Sequence, residues 1–186
     1  IKRSIASQLD KAPSISYLFE VIESDAFEII NPIQKYFETL PPHRGSDYIR
    51  QLVNTLQPAN HEELETPQLK EQLYKNFKKW IVATVATVME VDKINHTCLV
   101  LTGAQGIFKT TWLNNLCPPV LNPYLYSNHI NLQSKDSQTL LAECFLINID
   151  DQLKQINTRD ENEIKNIITA PFVKYRRPYD THIQEY

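Results

Sequence analysis

The stretch CLVLTGAQGIFKTTWLNNLC, Cys98 to Cys117, decides how the rest of this chain reads. A short apolar run, Cys98 to Leu101, leads into a turn holding Gly103 and Gly106, then into a lysine, two threonines and a new amphipathic segment. That order predicts strand, phosphate-cradling loop and helix. A phosphate and its accompanying magnesium need inward-pointing backbone N–H groups, a positive charge and a hydroxyl, and this loop can offer all three. The spacing follows glycine, four residues, glycine, lysine, serine or threonine, except that Phe108 stands where the second glycine is expected. Gly103, Gly106, Lys109 and Thr110 are the leading candidates, and the nucleotide-binding stretch is Gly103, Ala104, Gln105, Gly106, Ile107, Phe108, Lys109, Thr110 and Thr111.

Composition supports a special turn here. The chain has three glycines, and two of them lie in this loop. Glycine costs conformational entropy and is kept where the backbone turns sharply or approaches a ligand. An ordinary strand-to-helix turn would need one.

Length, charge and cysteines bound what surrounds the loop. The 186 residues suffice for one substantial domain, or for a small helical domain with part of a larger one. A net charge of −3 exerts no global pull toward nucleic acid, so such contacts must be local. Cys98, Cys117 and Cys144 have no CxxC or Cys/His cluster beside them and read as buried thiols of a reducing, cytoplasmic compartment, with zinc disfavoured. No apolar run approaches the roughly twenty residues of a membrane span. Because the chain begins at Ile1, a fragment of a longer protein is expected.

Upstream of the loop the pattern is helical. ISYLFEVI carries Ser14 as its N-cap, and NPIQKYFETL carries Asn31 as cap with Pro32 at the first helical position. DYIRQLVNTL reads as a third helix capped by Ser46, with Tyr48, Ile49, Leu52, Val53 and Leu56 inward. Thr66 and Pro67 start a long fourth helix. Its period runs through Leu69, Leu73, Phe77 and Trp80 or Ile81 to Val85 and Val88, so the β-branched run IVATVATVM stays helical.

Downstream, Pro118 and Pro119 stop the loop helix, and NPYLYSNHINL is an aromatic connection with short extended pieces. SKDSQTLLAE follows as a helix capped by Ser134, and then comes CFLINIDD. Its apolar run suits a strand buried on both faces of a parallel sheet, and it ends in Asp150 and Asp151. In a doubly wound sheet that strand end lies beside the phosphate loop. There Asp150, with Thr110, could hold magnesium, and Asp151 could orient the attacking water. On its own the pair is also an ordinary strand-ending turn. The sites with catalytic roles are thus Lys109, Asp150 and Asp151.

The last segment holds a helix with Ile164, Ile167 and Ile168 inward, then Lys174, Tyr175, Arg176, Arg177 and Tyr179. Alternating cations and rings suit single-stranded nucleic acid. The same arginines could reach a neighbouring subunit's nucleotide, and a solvated edge is the plain alternative.

Together, GAQGIFKTTWLNNLCP, FLINIDD and EIKNIITAPFVKYRRPYD resemble the virulence-associated protein E-like (VirE-type) family of phage and mobile-element ATPases, related to superfamily 3 helicases. The resemblance covers most of residues 30–186. It implies an α/β P-loop NTPase (AAA+-like) core with a parallel sheet over 96–186, incomplete at its C-terminal end, after a helical region over 1–95. Lys109 and Thr110 match the Walker A lysine and hydroxyl, and Asp150 matches the Walker B aspartate. Phe108 departs from the family glycine and Asp151 from the usual glutamate. A further strand with a polar sensor residue is expected after the acidic motif, beyond Tyr186.

The implied function is an ATP-binding and ATP-hydrolysing domain of a replication helicase, using ATP and Mg2+. Single-stranded DNA and ring-forming copies of the chain are the implied partners, with Lys174, Arg176 and Arg177 at the DNA or the subunit boundary. The alternative is a nucleotide-binding or assembly module with little or no hydrolysis, because Phe108 and Asp151 blunt the site. A nucleoside kinase shares the loop but lacks an acceptor motif here.

Overall fold

A computed structural model describes residues 13–22, 24, 30–58, 66–90, 92–128, 130, 135–149, 158–170, 174–175 and 184–185. They fall in two compact units, Ile1–Thr39 and Leu40–Tyr186.

The first unit holds α1 (Ile15–Ile22) and α2 (Pro32–Glu38). Both begin as the cap residues dictate. Ser14 Oγ accepts from the Tyr17 N–H at 3.1 Å, and Asn31 Oδ1 accepts from the Ile33 and Gln34 N–H groups, each bond satisfying a donor that the first helical turn leaves free. Pro32 loses nothing at that position, since its missing N–H would have been unpaired.

In the second unit, α3 (Tyr48–Val53) packs against α4 (Thr66–Met89). The cap of α3 is Asp47 and not Ser46: Asp47 Oδ1 accepts from the Arg50 N–H at 2.8 Å. A carboxylate also favours the partial positive charge at a helix start, which a hydroxyl does less well. Tyr48 is exposed and not inward, because the shorter helix turns Val53 and the half-buried Ile49 and Leu52 toward α4. The β-branched stretch of α4 is helical to Met89, so the unbroken period outweighs strand propensity.

Val53, Tyr74 and Phe77 form the centre of the core, and Phe77 is 1 % exposed. Burying that ring contributes about 2–3 kcal/mol. Tyr74 reaches the core with its ring while its hydroxyl donates to Asp47 Oδ2 at 2.7 Å. The Arg50 guanidinium lies 3.7 Å above the same ring and pairs with Glu71 Oε2 at 2.9 Å. Directional bonds therefore reinforce the apolar seam between the two helices.

From α4 the chain returns through Asn95, whose amide donates to Thr84 Oγ1 at 3.0 Å and to the Trp80 carbonyl at 3.4 Å. The following Cys98–Leu101 run has the alternation of a strand, with Leu99 and Leu101 half-buried and Cys98 and Val100 exposed. It is not a strand, because among the described residues no segment pairs with it, and a strand exists only by its ladder. The same lack of a neighbour leaves Cys98 exposed, against its reading as a buried thiol; Cys117 is buried and Cys144 half-buried.

After α5 (Lys109–Asn114) come a 3-10 helix (Pro119–Tyr124) and β1 (Leu125–Ser127). Next are α6 (Lys135–Glu143) and β2 (Leu146–Asn148). Ser134, read as the cap of α6, lies outside the described residues. β1 and β2 pair in parallel with Leu125 opposite Leu146 and Ser127 opposite Asn148. The parallel pairing follows the reading of CFLINIDD, but β2 is half-buried along its length and not closed on both faces. α7 (Thr158–Thr169) turns Ile164, Ile167 and Ile168 to partial burial. β3 (Lys174–Tyr175) and β4 (Gln184–Glu185) pair antiparallel.

Candidate nucleotide site

The loop between Leu101 and α5 holds backbone that ordinary residues avoid. Gly103 has φ +148°, Gly106 +82° and Phe108 +59°. Gly106 fits because it carries no Cβ. At Gly103 a Cβ would stand 2.9 Å from Ile107 Cδ1, the tip of an exposed side chain that can move aside, so the backbone angle is what selects glycine.

Phe108 explains its own departure from the pattern. With φ 59° and ψ 26° it sits in the left-handed region, and it alone does so among the described residues other than glycine. The expected glycine is thus missing from the sequence while its conformation persists. That conformation costs a residue with a Cβ about 1–2 kcal/mol. The ring is 77 % exposed, so it projects away from the loop instead of filling it.

Lys109 folds back over the loop. Its Nζ donates to the Ala104 carbonyl at 2.6 Å and to the Gly103 carbonyl at 3.2 Å. The ammonium is thereby held across the two ends of the turn, with residues 102–108 exposed around it. Lys109 and Thr110 themselves are half-buried at the first turn of α5. The backbone donors of such a turn, a fixed cation and a neighbouring hydroxyl suit a phosphate group, and Thr110 suits a hard cation carried with it.

The helix behind the loop is anchored on two sides. Trp112 sets its ring edge-on to Phe77, with centroids 5.6 Å apart, and donates its indole N–H to Thr55 Oγ1 at 2.8 Å. On the other side, Asn148 at the end of β2 donates to Asn114 Oδ1 at 2.7 Å and to the Thr110 carbonyl at 3.4 Å. Both anchors escaped sequence reasoning. Trp112 carried a signal, an aromatic residue four positions after Phe108, whereas Asn148 showed only as one amide in an apolar run.

Gly103 through Thr111 are therefore brought into one turn and helix start. Asp150, Asp151, Arg176 and Arg177 lie outside the described residues, and of Lys174 the backbone alone is described, in β3. Among the described residues no helix is long and apolar enough to cross a membrane.

Residues 45–186 match the family model described as virulence-associated protein E-like domain. No curated protein and no solved structure matches the chain.

Proposed function

The chain belongs to the virulence-associated protein E-like domain family, and from that premise we propose that Gly103–Thr111 is a Walker A loop binding ATP with Mg2+. The observation that carries this reading is the loop itself. Three positive-φ positions precede a lysine bridged to two loop carbonyls, in a stretch exposed over 102–108. Lys109 would balance phosphate charge and Thr110 would offer its hydroxyl to magnesium, which supplies charge neutralisation when bound.

The wider reading is a superfamily 3-like replication ATPase of a phage or mobile element, a cytoplasmic P-loop protein whose copies assemble into a ring. Asp150 is proposed to share the magnesium with Thr110, and Asp151 to orient water. Lys174, Arg176 and Arg177 are proposed to meet single-stranded DNA or a neighbouring subunit. The test is titration of a fluorescent ATP analogue with Mg2+, followed by hydrolysis with and without single-stranded DNA. Lys109→Ala should abolish both binding and turnover; undiminished binding in that variant would sink the reading.

A second reading, nucleotide binding with little hydrolysis, is favoured by the strained Phe108 and by the shorter carboxylate at Asp151. A large gain in turnover from Asp151→Glu would show that the natural residue limits the rate. Tight ATP binding with no gain would favour the binding role.

A further inference from the structure

We infer that Asn148 is a positioning residue for the phosphate loop, its side-chain amide setting the rotation of α5 and hence the place of Thr110. This rests on the nucleotide reading of the loop. Asn148 is the one polar side chain in the run Leu146–Ile149, and it is half-buried. An unpaired amide in such a place costs about 1–3 kcal/mol, so its partners say what it is for.

Those partners are Thr110 and Asn114, four residues apart on one face of α5. The amide therefore grips a full turn of the helix. The Thr110 carbonyl has two lone pairs and can accept this bond beside its helical one. A leucine at this position would be close in volume, but apolar packing is non-directional and would leave the rotation of α5 to the Trp112 anchor alone. Thr110 lies in the gripped turn, so rotation would carry its short side chain out of place, whereas the Lys109 ammonium stays tied to the Gly103 and Ala104 carbonyls. β2 can act as the reference because its own position is set by β1, with Ser127 opposite Asn148.

The expected consequence separates two binding steps. Nucleotide held by the loop backbone and Lys109 should be nearly indifferent to Asn148, whereas the increment due to magnesium depends on the Thr110 hydroxyl. The experiment titrates a fluorescent ATP analogue into the whole chain in Mg2+ and again in EDTA, for wild type, Asn148→Leu, Asn114→Ala, the double variant and Lys109→Ala. Melting temperatures are read in parallel.

Asn148→Leu should lose roughly tenfold in affinity with Mg2+, the usual cost of removing a residue that orients a metal ligand, with affinity in EDTA unchanged. Asn114→Ala, which removes the shorter of the two contacts, should lose affinity in the same direction, and the double variant should be no worse than Asn148→Leu, which already removes both. Should Asn148→Leu fail to fold, the Asn114→Ala titration decides. Equal losses in Mg2+ and EDTA would make the amide a structural tie alone and overturn the inference. Wild-type affinities in both media would overturn it too, leaving the nucleotide reading intact. Wild-type binding no tighter than that of Lys109→Ala would bring down the nucleotide reading and the inference with it.

Discussion

Trp112 donates its indole N–H to Thr55 Oγ1 at 2.8 Å, and this bond joins the helix behind the loop to the turn that ends α3. Thr55 is poised to accept because its own hydroxyl proton is engaged with the Leu52 carbonyl at 2.6 Å. The Trp112 ring meanwhile lies against Phe77, at the centre of the α3–α4 core. The upstream helices therefore form the platform on which the loop helix stands, and disturbance of their core reaches the loop through Trp112, with Leu99 and Leu116 packed on the same core.

Replacing Trp112 by Phe keeps most of the ring contact and removes the donor. It should destabilise the chain by about 1 kcal/mol, the ordinary worth of one hydrogen bond. Trp112→Ala should cost about 2 kcal/mol or more, below the range for a fully buried aromatic because this ring is half-buried. Urea denaturation of the three proteins measures both, and equal stability of Trp112→Phe and Trp112→Ala would refute the ring's role.

Phe108→Gly should stabilise the chain, whereas Phe108→Ala should not. Glycine removes about 1–2 kcal/mol of left-handed strain and returns part of it as unfolded-state entropy, for a net gain of about 0.5–1 kcal/mol. Alanine keeps the Cβ and the strain. The contrast is read from thermal melts of the two variants, and a gain from alanine as large as that from glycine would place the cost in the exposed ring instead of the backbone.

Acid should loosen the α3–α4 pair. Hydrogen bonds from the Arg50 N–H and the Tyr74 hydroxyl hold the Asp47 carboxyl below its ordinary 3.8, and the hydrogen bond from the Arg50 side chain holds Glu71 below 4.5. Depressed values mean that the folded state binds these protons less readily than the unfolded state. Their contribution is complete above the ordinary values and is lost as pH falls through the lower folded ones. Melting temperature followed from neutral pH to about pH 2.5 should decline less steeply in Asp47→Asn, which has less left to lose.

Thiol labelling should rank the cysteines. Burial pushes all three thiols up, so access sets the order: Cys98 is exposed and should react first with a maleimide, while Cys117 is 3 % exposed. Mass spectrometry of partly labelled protein gives the order; early modification of Cys117 in native conditions would contradict its packing.

Much of the local structure was legible because short-range chemistry dictates it. Ser14, Asn31 and Pro32 begin their helices as their side chains require, and the period from Leu69 to Val88 holds α4 together. The loop was legible for the same reason, since glycines and a lysine at fixed spacing describe one turn. Tyr74 was not, because its place in the core depends on Asp47 and Arg50, residues from another helix.

The sequence by itself determined the caps of α1 and α2, the period of α4 and the residues of the loop, all of which depend on neighbours within a few positions. Tertiary structure decided the rest. Phe108 takes the left-handed backbone expected of the pattern's glycine, within the turn that Lys109 ties back to Ala104, and no local preference of phenylalanine foretells that. Asn148 faces Thr110, 38 residues upstream, because a parallel strand pair and a helix meet there, a contact that spacing along the chain does not encode.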